Sequence, residues 1–227
     1  KDPVPVRPGA HYMIGGLEVD SEGRTTIPGL WAVGECASSG LHGANRMGSN
    51  SLLESLVLGT CAGAAAAAEA RSEPAAEFAV APERERSTPP QGMNMNVQDV
   101  TYSLKSLMWR QLGVKRTRAF MEDALAKIAL WTRAVSELGA PEPRTFEVVN
   151  MLTVARLTAV GAFLREESRG VHFRSDFPQL ASAWVAHTRL VPVVDGQRIR
   201  AVRVTRVPVL GTTASKSLAT RRDVATP

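Results

Sequence analysis

The sequence is poor in cysteine: Cys36 and Cys61 are its only two, and neither stands at a metal-ligand spacing. That excludes a disulfide scaffold and gives no support to an iron–sulfur centre, so both thiols are expected to be reduced and structural, or neighbours of a cofactor. Aromatic residues make up 5% of the chain, and no aromatic ladder interleaves its arginines. No GxGxxG follows a strand, so the usual cradle for a dinucleotide pyrophosphate is missing. Nothing reads as a signal peptide. The most apolar windows are broken by Glu, Arg or Gly short of membrane-spanning length, so no membrane contact and a cytoplasmic location are expected. An initiator methionine is missing too, since the chain opens Lys1-Asp2-Pro3.

What is present suffices for two packed parts. The chain has 227 residues, 44% of them hydrophobic, and a net charge of +5. The positive excess sits in the second half, where Arg110, Lys115, Arg116 and Arg118 cluster and Arg198, Arg200, Arg203 and Arg206 alternate. Such a pattern raises nucleic-acid binding, but no recognition signature accompanies it. The favoured reading is solvated faces and a potential that draws an anionic substrate, with no nucleic-acid partner.

The chemistry concentrates in the first quarter, in HYMIGG at 11–16 and WAVGECASSGLHGANRMGSNSLL at 31–53. Leu30 to Val33 is a short apolar run between glycines and predicts a buried strand. Glu35 then stands at the carboxyl end of that strand, where a carboxylate can accept from ligand hydroxyls; the alternative is capping of a nearby backbone amide. From Cys36 to Gly48 the loop is built of small residues, with Arg46 its only charge. A guanidinium there can grip a carboxylate through two parallel hydrogen bonds. Ser49-Asn50-Ser51 ahead of Leu52 is an N-cap signal for a helix ending near Arg71. The Ser51 and Leu52 amides would be free donors at its positive end, suited to negative charge.

After Arg71 the composition shifts to Pro, Glu and Ala, which reads as a linker over 72–98. Three amphipathic helices follow in a domain spanning 99–188. The first covers about 100–112, with Leu104, Leu107, Met108 and Leu112 inward. The second covers 115–138, with Phe120, Leu125, Ile128 and Trp131 inward. The third covers 145–167, with Val149, Leu152, Leu157, Val160 and Leu164 inward. A basic tail, 189–227, alternates apolar and charged residues, as an edge strand or a loose segment would.

HYMIGG, GLWAVGE and GLHGANRMGSNSLLE, in that order, resemble the carboxyl-terminal part of the flavin domain in the succinate dehydrogenase, fumarate reductase and L-aspartate oxidase superfamily. LKSLMWRQLGVKR at 104–116 and NMLTVARLTAVGAFLREESRGVHFRSDFP at 150–178 resemble that family's carboxyl-terminal helical domain. The LMWRQLGV version is more similar to the L-aspartate oxidase branch. The resemblance implies α/β plus all-α architecture: the end of a Rossmann-like FAD-binding domain, residues 1–71, then a three-helix bundle. It further implies FAD as cofactor, with Glu35 on the ribityl chain, Ser51 and Leu52 at the isoalloxazine, and Ser49 and Asn50 supporting that turn. His11 and Arg46 match positions that hold a carboxylate of a dicarboxylate substrate. Arg169 and His172 read as structural, with lining of the active site as the alternative. The family's dinucleotide-binding segment, capping domain and proton-shuttle arginine precede HYxxGG. The chain is thus expected to be the carboxyl-terminal portion of a longer flavoprotein, with no catalytic residue of its own, binding FAD poorly by itself.

Three activities follow as expectations. The leading one is oxidation of L-aspartate to iminoaspartate for quinolinate and NAD synthesis, with oxygen or fumarate as acceptor and handover to quinolinate synthase. The second is a fumarate reductase or succinate dehydrogenase flavoprotein subunit. The third is a non-catalytic basic interaction module.

Overall fold

The structure is a computed structural model that describes residues 3–6, 9–72, 96–136, 138, 142–195, 198–209 and 222–225. It forms two compact units, residues 1–84 and 85–227. Most of the expected linker, 73–95, lies outside the described residues.

In the first unit, β1 (Leu17–Glu18) pairs in parallel with β2 (Ala37–Ser38). Gly16 makes this approach possible: its φ is +149°, and a Cβ there would lie 2.2 Å from the Cys36 carbonyl oxygen. The strand expected over Leu30 to Val33 is not formed. Ile27-Pro28-Gly29-Leu30 instead closes a tight turn, with Leu30 N–H donating to Ile27 O at 3.2 Å and Gly29 at φ +74°. Proline before a left-handed glycine is the type II arrangement. It folds the run back on Gly23 to Thr25, through an Arg24–Trp31 bridge, and buries only Ala32 fully. Glu35 consequently sits in a 3-10 turn, Gly34–Cys36, rather than at a strand end.

Helix α1 spans Asn50–Ser72, one residue past the expected end. Its small-residue face admits close neighbours, for a Cβ on Gly23 would stand 2.9 Å from the Ala62 Cβ. The predicted side-chain cap is absent. Ser49 adopts φ +67°, the left-handed region rather than the extended backbone of an N-cap. Its carbonyl, not its hydroxyl, accepts the Leu52 amide at 3.2 Å. Leu52 N–H is therefore not free, against expectation.

In the second unit α2 (Val97–Leu112), α3 (Arg118–Ser136) and α4 (Pro143–Leu164) pack as the expected three-helix bundle. Asn96 caps α2 by accepting from Gln98 N–H at 2.9 Å, and Pro143 opens α4. Leu104, Leu107 and Leu112 are buried as predicted, as are Ile128, Leu152 and Val160. Two inward positions shift by one residue. Met121 is buried where Phe120 was expected, and Val148 where Val149 was. The helical period through 121, 124, 128 and 135, and through 148, 152, 155 and 159, sets that face.

The alternating segment forms sheet, not loose chain. β3 (Ala186–Asp195), β4 (Arg198–Pro208) and β5 (Arg222–Ala225) pair antiparallel with β4 central. Val202 and Val204 on β4, with Leu190, pack on Val160 of α4. Helices α1 and α4 are both long and apolar enough to cross a membrane, which differs from the sequence expectation. For α4 the bundle accounts for this, since Val148, Leu152, Ala155, Ala159 and Val160 are buried among protein neighbours.

Candidate active site

Arg46 meets Ser51 at the start of α1, and the HYMIGG segment with Glu35 adjoins them through Tyr12. Glu35 holds the HYMIGG segment, its Oε1 accepting Met13 N–H at 2.8 Å. This is the amide-capping alternative, and it fixes the backbone at Met13, next to Tyr12. Gly15, two residues on at φ +105°, has nothing within 4 Å of where a Cβ would stand, so a ligand can approach the backbone there. His11 is exposed on the same segment.

Arg46 is half-buried. Its Nη1 donates to Ser51 Oγ at 3.1 Å, and its guanidinium lies over the Tyr12 ring, 4.7 Å from the centroid. Its Nε and Nη2 donate to nothing among the described residues, leaving a planar donor edge for a carboxylate. The Ser51 amide, in the first turn of α1, likewise meets no acceptor among the described residues. Ser49, immediately before that turn, is the one non-glycine residue of positive φ among the described residues. Strain of this kind persists where surrounding structure holds it, often at ligand sites.

Sequence reading passed over four neighbours. Tyr12 meets His42 edge-on, ring centroids 5.3 Å apart. His42 Nε2 lies 2.7 Å from Glu54 Oε2 without hydrogen-bond alignment, and Ser39 Oγ donates to Glu54 Oε1. Burial raises the Tyr12 hydroxyl pKa above its ordinary value, with Glu54 and Glu35 adding to the rise. A signal was available: Glu54 is a carboxylate on an apolar helix face, and His42 stands four residues before Arg46.

In the second unit Arg169 and His172 serve a buried polar network. Glu167 is wholly buried and accepts from Arg165, Arg169 and the Ala181 amide. Burial pushes its carboxyl pKa up, but these hydrogen bonds outweigh it and hold the group below its usual range. Arg174, also wholly buried, forks onto Asp176 and donates to Phe163 O. His172 stands between Arg116 Nη1, 2.7 Å from its Nδ1, and Arg165 O, 3.1 Å from its Nε2. Desolvation, with the arginines nearby, lowers its pKa to about 4. A neutral ring that accepts at Nδ1 and donates at Nε2 satisfies both neighbours.

Residues 1–52 match the FAD binding domain family and 101–222 the fumarate reductase flavoprotein C-term family. The L-aspartate oxidase of Xylella fastidiosa (strain 9a5c) is 38% identical over 78% of this chain. The fumarate reductase flavoprotein subunit of Haemophilus influenzae is 39% identical, also over 78% of it. The chain spans 30% and 32% of those two relatives. Among solved structures, a variant of the E. coli quinol fumarate reductase FrdA superposes with a TM-score of 0.77 at 31% identity. That match covers 95% of this chain and 40% of FrdA. The vacant donors of Ser51 and the open face at Gly15 suit a polar, planar cofactor, and the fold with this site defines a flavoprotein whose cofactor is FAD. The chain belongs to the succinate dehydrogenase and fumarate reductase flavoprotein family, of which its helical half carries the fumarate reductase flavoprotein C-term domain.

Proposed function

We propose that the complete protein oxidises L-aspartate to iminoaspartate, in de novo NAD biosynthesis, with oxygen or fumarate as acceptor. The observation that carries this is the free donor edge of Arg46, fixed by Tyr12 and Ser51 at the start of α1. Arg46 grips one carboxylate of the dicarboxylate, and His11 on the facing segment supports that hold. Glu35 fixes the segment that carries His11 and Gly15, and meets the ribityl hydroxyls with its remaining lone pairs. The Ser51 amide and hydroxyl, with Ser49, Asn50 and Leu52 around the turn, present the positive end of α1 to the isoalloxazine. FAD, when bound, supplies the hydride acceptor. What this chain adds is orientation, which is worth several kcal/mol of barrier when reacting atoms are held in line, on the order of 7–11 at the upper end. The iminoaspartate then passes to quinolinate synthase.

Sequence supports aspartate over succinate through LMWRQLGV at 107–114 and through L-aspartate oxidase relatives at 38% identity and above. A fumarate reductase or succinate dehydrogenase subunit is the second reading, favoured by relatives of that name at similar identity. Anaerobic flavin bleaching in the complete protein separates them. L-aspartate is expected to bleach the flavin and release ammonia, whereas bleaching by succinate alone overturns the oxidase reading.

A further inference from the structure

Behind Arg46 and Tyr12 stand side chains that the proposed reaction leaves unused. Glu54 lies on the inward face of α1 with its side chain only 3% exposed, and a carboxylate is seldom buried so far without a task. Ser39 takes one of its oxygens, and His42, its side chain 9% exposed, lies against the other. The His42 ring meets the Tyr12 ring edge to face, and the Tyr12 ring carries the Arg46 guanidinium. Each link is short, and together they run from helix α1 to the open donor edge of the Arg46 guanidinium.

We infer that Glu54, His42 and Tyr12 are positioning residues that set the plane of the Arg46 guanidinium, and through it the affinity for a dicarboxylate. The inference rests on the substrate reading of Arg46 given above. An arginine on a glycine-rich loop has several rotamers open to it, and a planar fork binds a carboxylate well in only one plane. The ring of Tyr12 favours a guanidinium lying over its face, which is the plane that leaves Nε and Nη2 open. Tyr12 stands on a loop and has its own freedom. His42 against its edge restricts that freedom, and the buried carboxylate of Glu54 packs behind His42, Oε2 lying 2.7 Å from Nε2. Ser51 Oγ fixes the remaining end of the fork at Nη1.

The test uses the complete, FAD-loaded protein and malonate, whose binding is read from perturbation of the flavin spectrum, with FAD content measured for every variant. Arg46→Ala is expected to weaken malonate at least about thirtyfold, the loss typical of a bound charge pair. Tyr12→Leu and Glu54→Gln are each expected to weaken it about three- to thirtyfold with FAD content kept, in the range of a lost cation–π contact. Tyr12→Phe retains the ring face and loses less than Tyr12→Leu. Because these residues act through the guanidinium, Tyr12→Leu or Glu54→Gln in the Arg46→Ala background adds no further loss. If both bind malonate as tightly as the parent while Arg46→Ala does not, or if their losses simply add to that of Arg46→Ala, the positioning role is overturned and the carboxylate clamp stands. If Arg46→Ala itself binds malonate like the parent, the substrate reading fails and this inference with it. Should Glu54→Gln lose its FAD, the Tyr12→Leu and Tyr12→Phe pair decides.

Discussion

Gly16 is the residue on which the first unit turns. Its carbon sits under the Cys36 carbonyl at a φ that a side chain rarely adopts, and this contact registers β1 beside β2. An added methyl at 2.2 Å from a backbone oxygen has no flexible side chain to displace, so backbone must move. Gly16→Ala is therefore expected to destabilise by more than about 2 kcal/mol, with strain and overpacking adding. The check is FAD content and thermal midpoint of the purified complete protein, where a parent-like value for both contradicts the contact. Of the two glycines that close HYMIGG, one leaves an open backbone face and the other does not. Gly15 keeps that open face, whereas Gly16 spends its freedom on Cys36.

At the scale of elements, the bundle's helices followed from period 3.6 in the sequence, but their exact inward stripe did not. Flanking apolar residues such as Phe120 and Val149 fit an amphipathic stripe equally well on paper, and only packing of three helices against one another selects Met121 and Val148. The choice is measurable. Leu152 is 1% exposed at the centre of the core, so Leu152→Ala is expected to cost about 2–5 kcal/mol in urea unfolding. Val149, 38% exposed one turn earlier, should lose under about 1 kcal/mol on truncation to alanine. Similar losses at both positions would contradict the register. The sheet shows a related limit: alternation in the basic tail left an edge strand and a loose segment both open, while the central place of β4 between β3 and β5 depends on pairing with both.

On the scale of the whole molecule, acid should weaken the second unit. His172 has a folded pKa of about 4 against an ordinary 6.5, since desolvation and three nearby arginines oppose its charge. Its contribution is full above pH 6.5. It declines as pH falls, because the unfolded chain takes up a proton that the folded one refuses, and levels off near pH 4. The whole window amounts to roughly 3 kcal/mol. Asp176, held down to about 2 chiefly by the hydrogen bond from Arg174, acts in the same direction at lower pH. Its stabilisation is present above the usual carboxylate pKa near 3.8 and is lost as pH falls through 2. Unfolding free energy is expected to drop between pH 6.5 and 4.5. His172→Gln, which can still accept from Arg116 and donate to Arg165 O, should flatten that slope. An unchanged slope in the variant would place the acid sensitivity elsewhere.

The sequence by itself determined the family, the order of flavin-domain and helical parts, FAD as cofactor and the chemistry of a lone arginine in a small-residue loop. Those properties depend on local pattern: residue types at short spacings, glycines where backbone bends, and apolar periods along a helix. What only the tertiary structure decided is which groups meet. Proline and Gly29 fold the supposed strand at Trp31 into a hairpin, the backbone of Ser49 replaces its own side chain as the cap, and Glu54 reaches Arg46 through His42 and Tyr12. The first two are local turns that win over strand and side-chain cap, whereas the last joins segments whose spacing along the chain carries no period, so its free energy arises only once the surrounding backbone is in place.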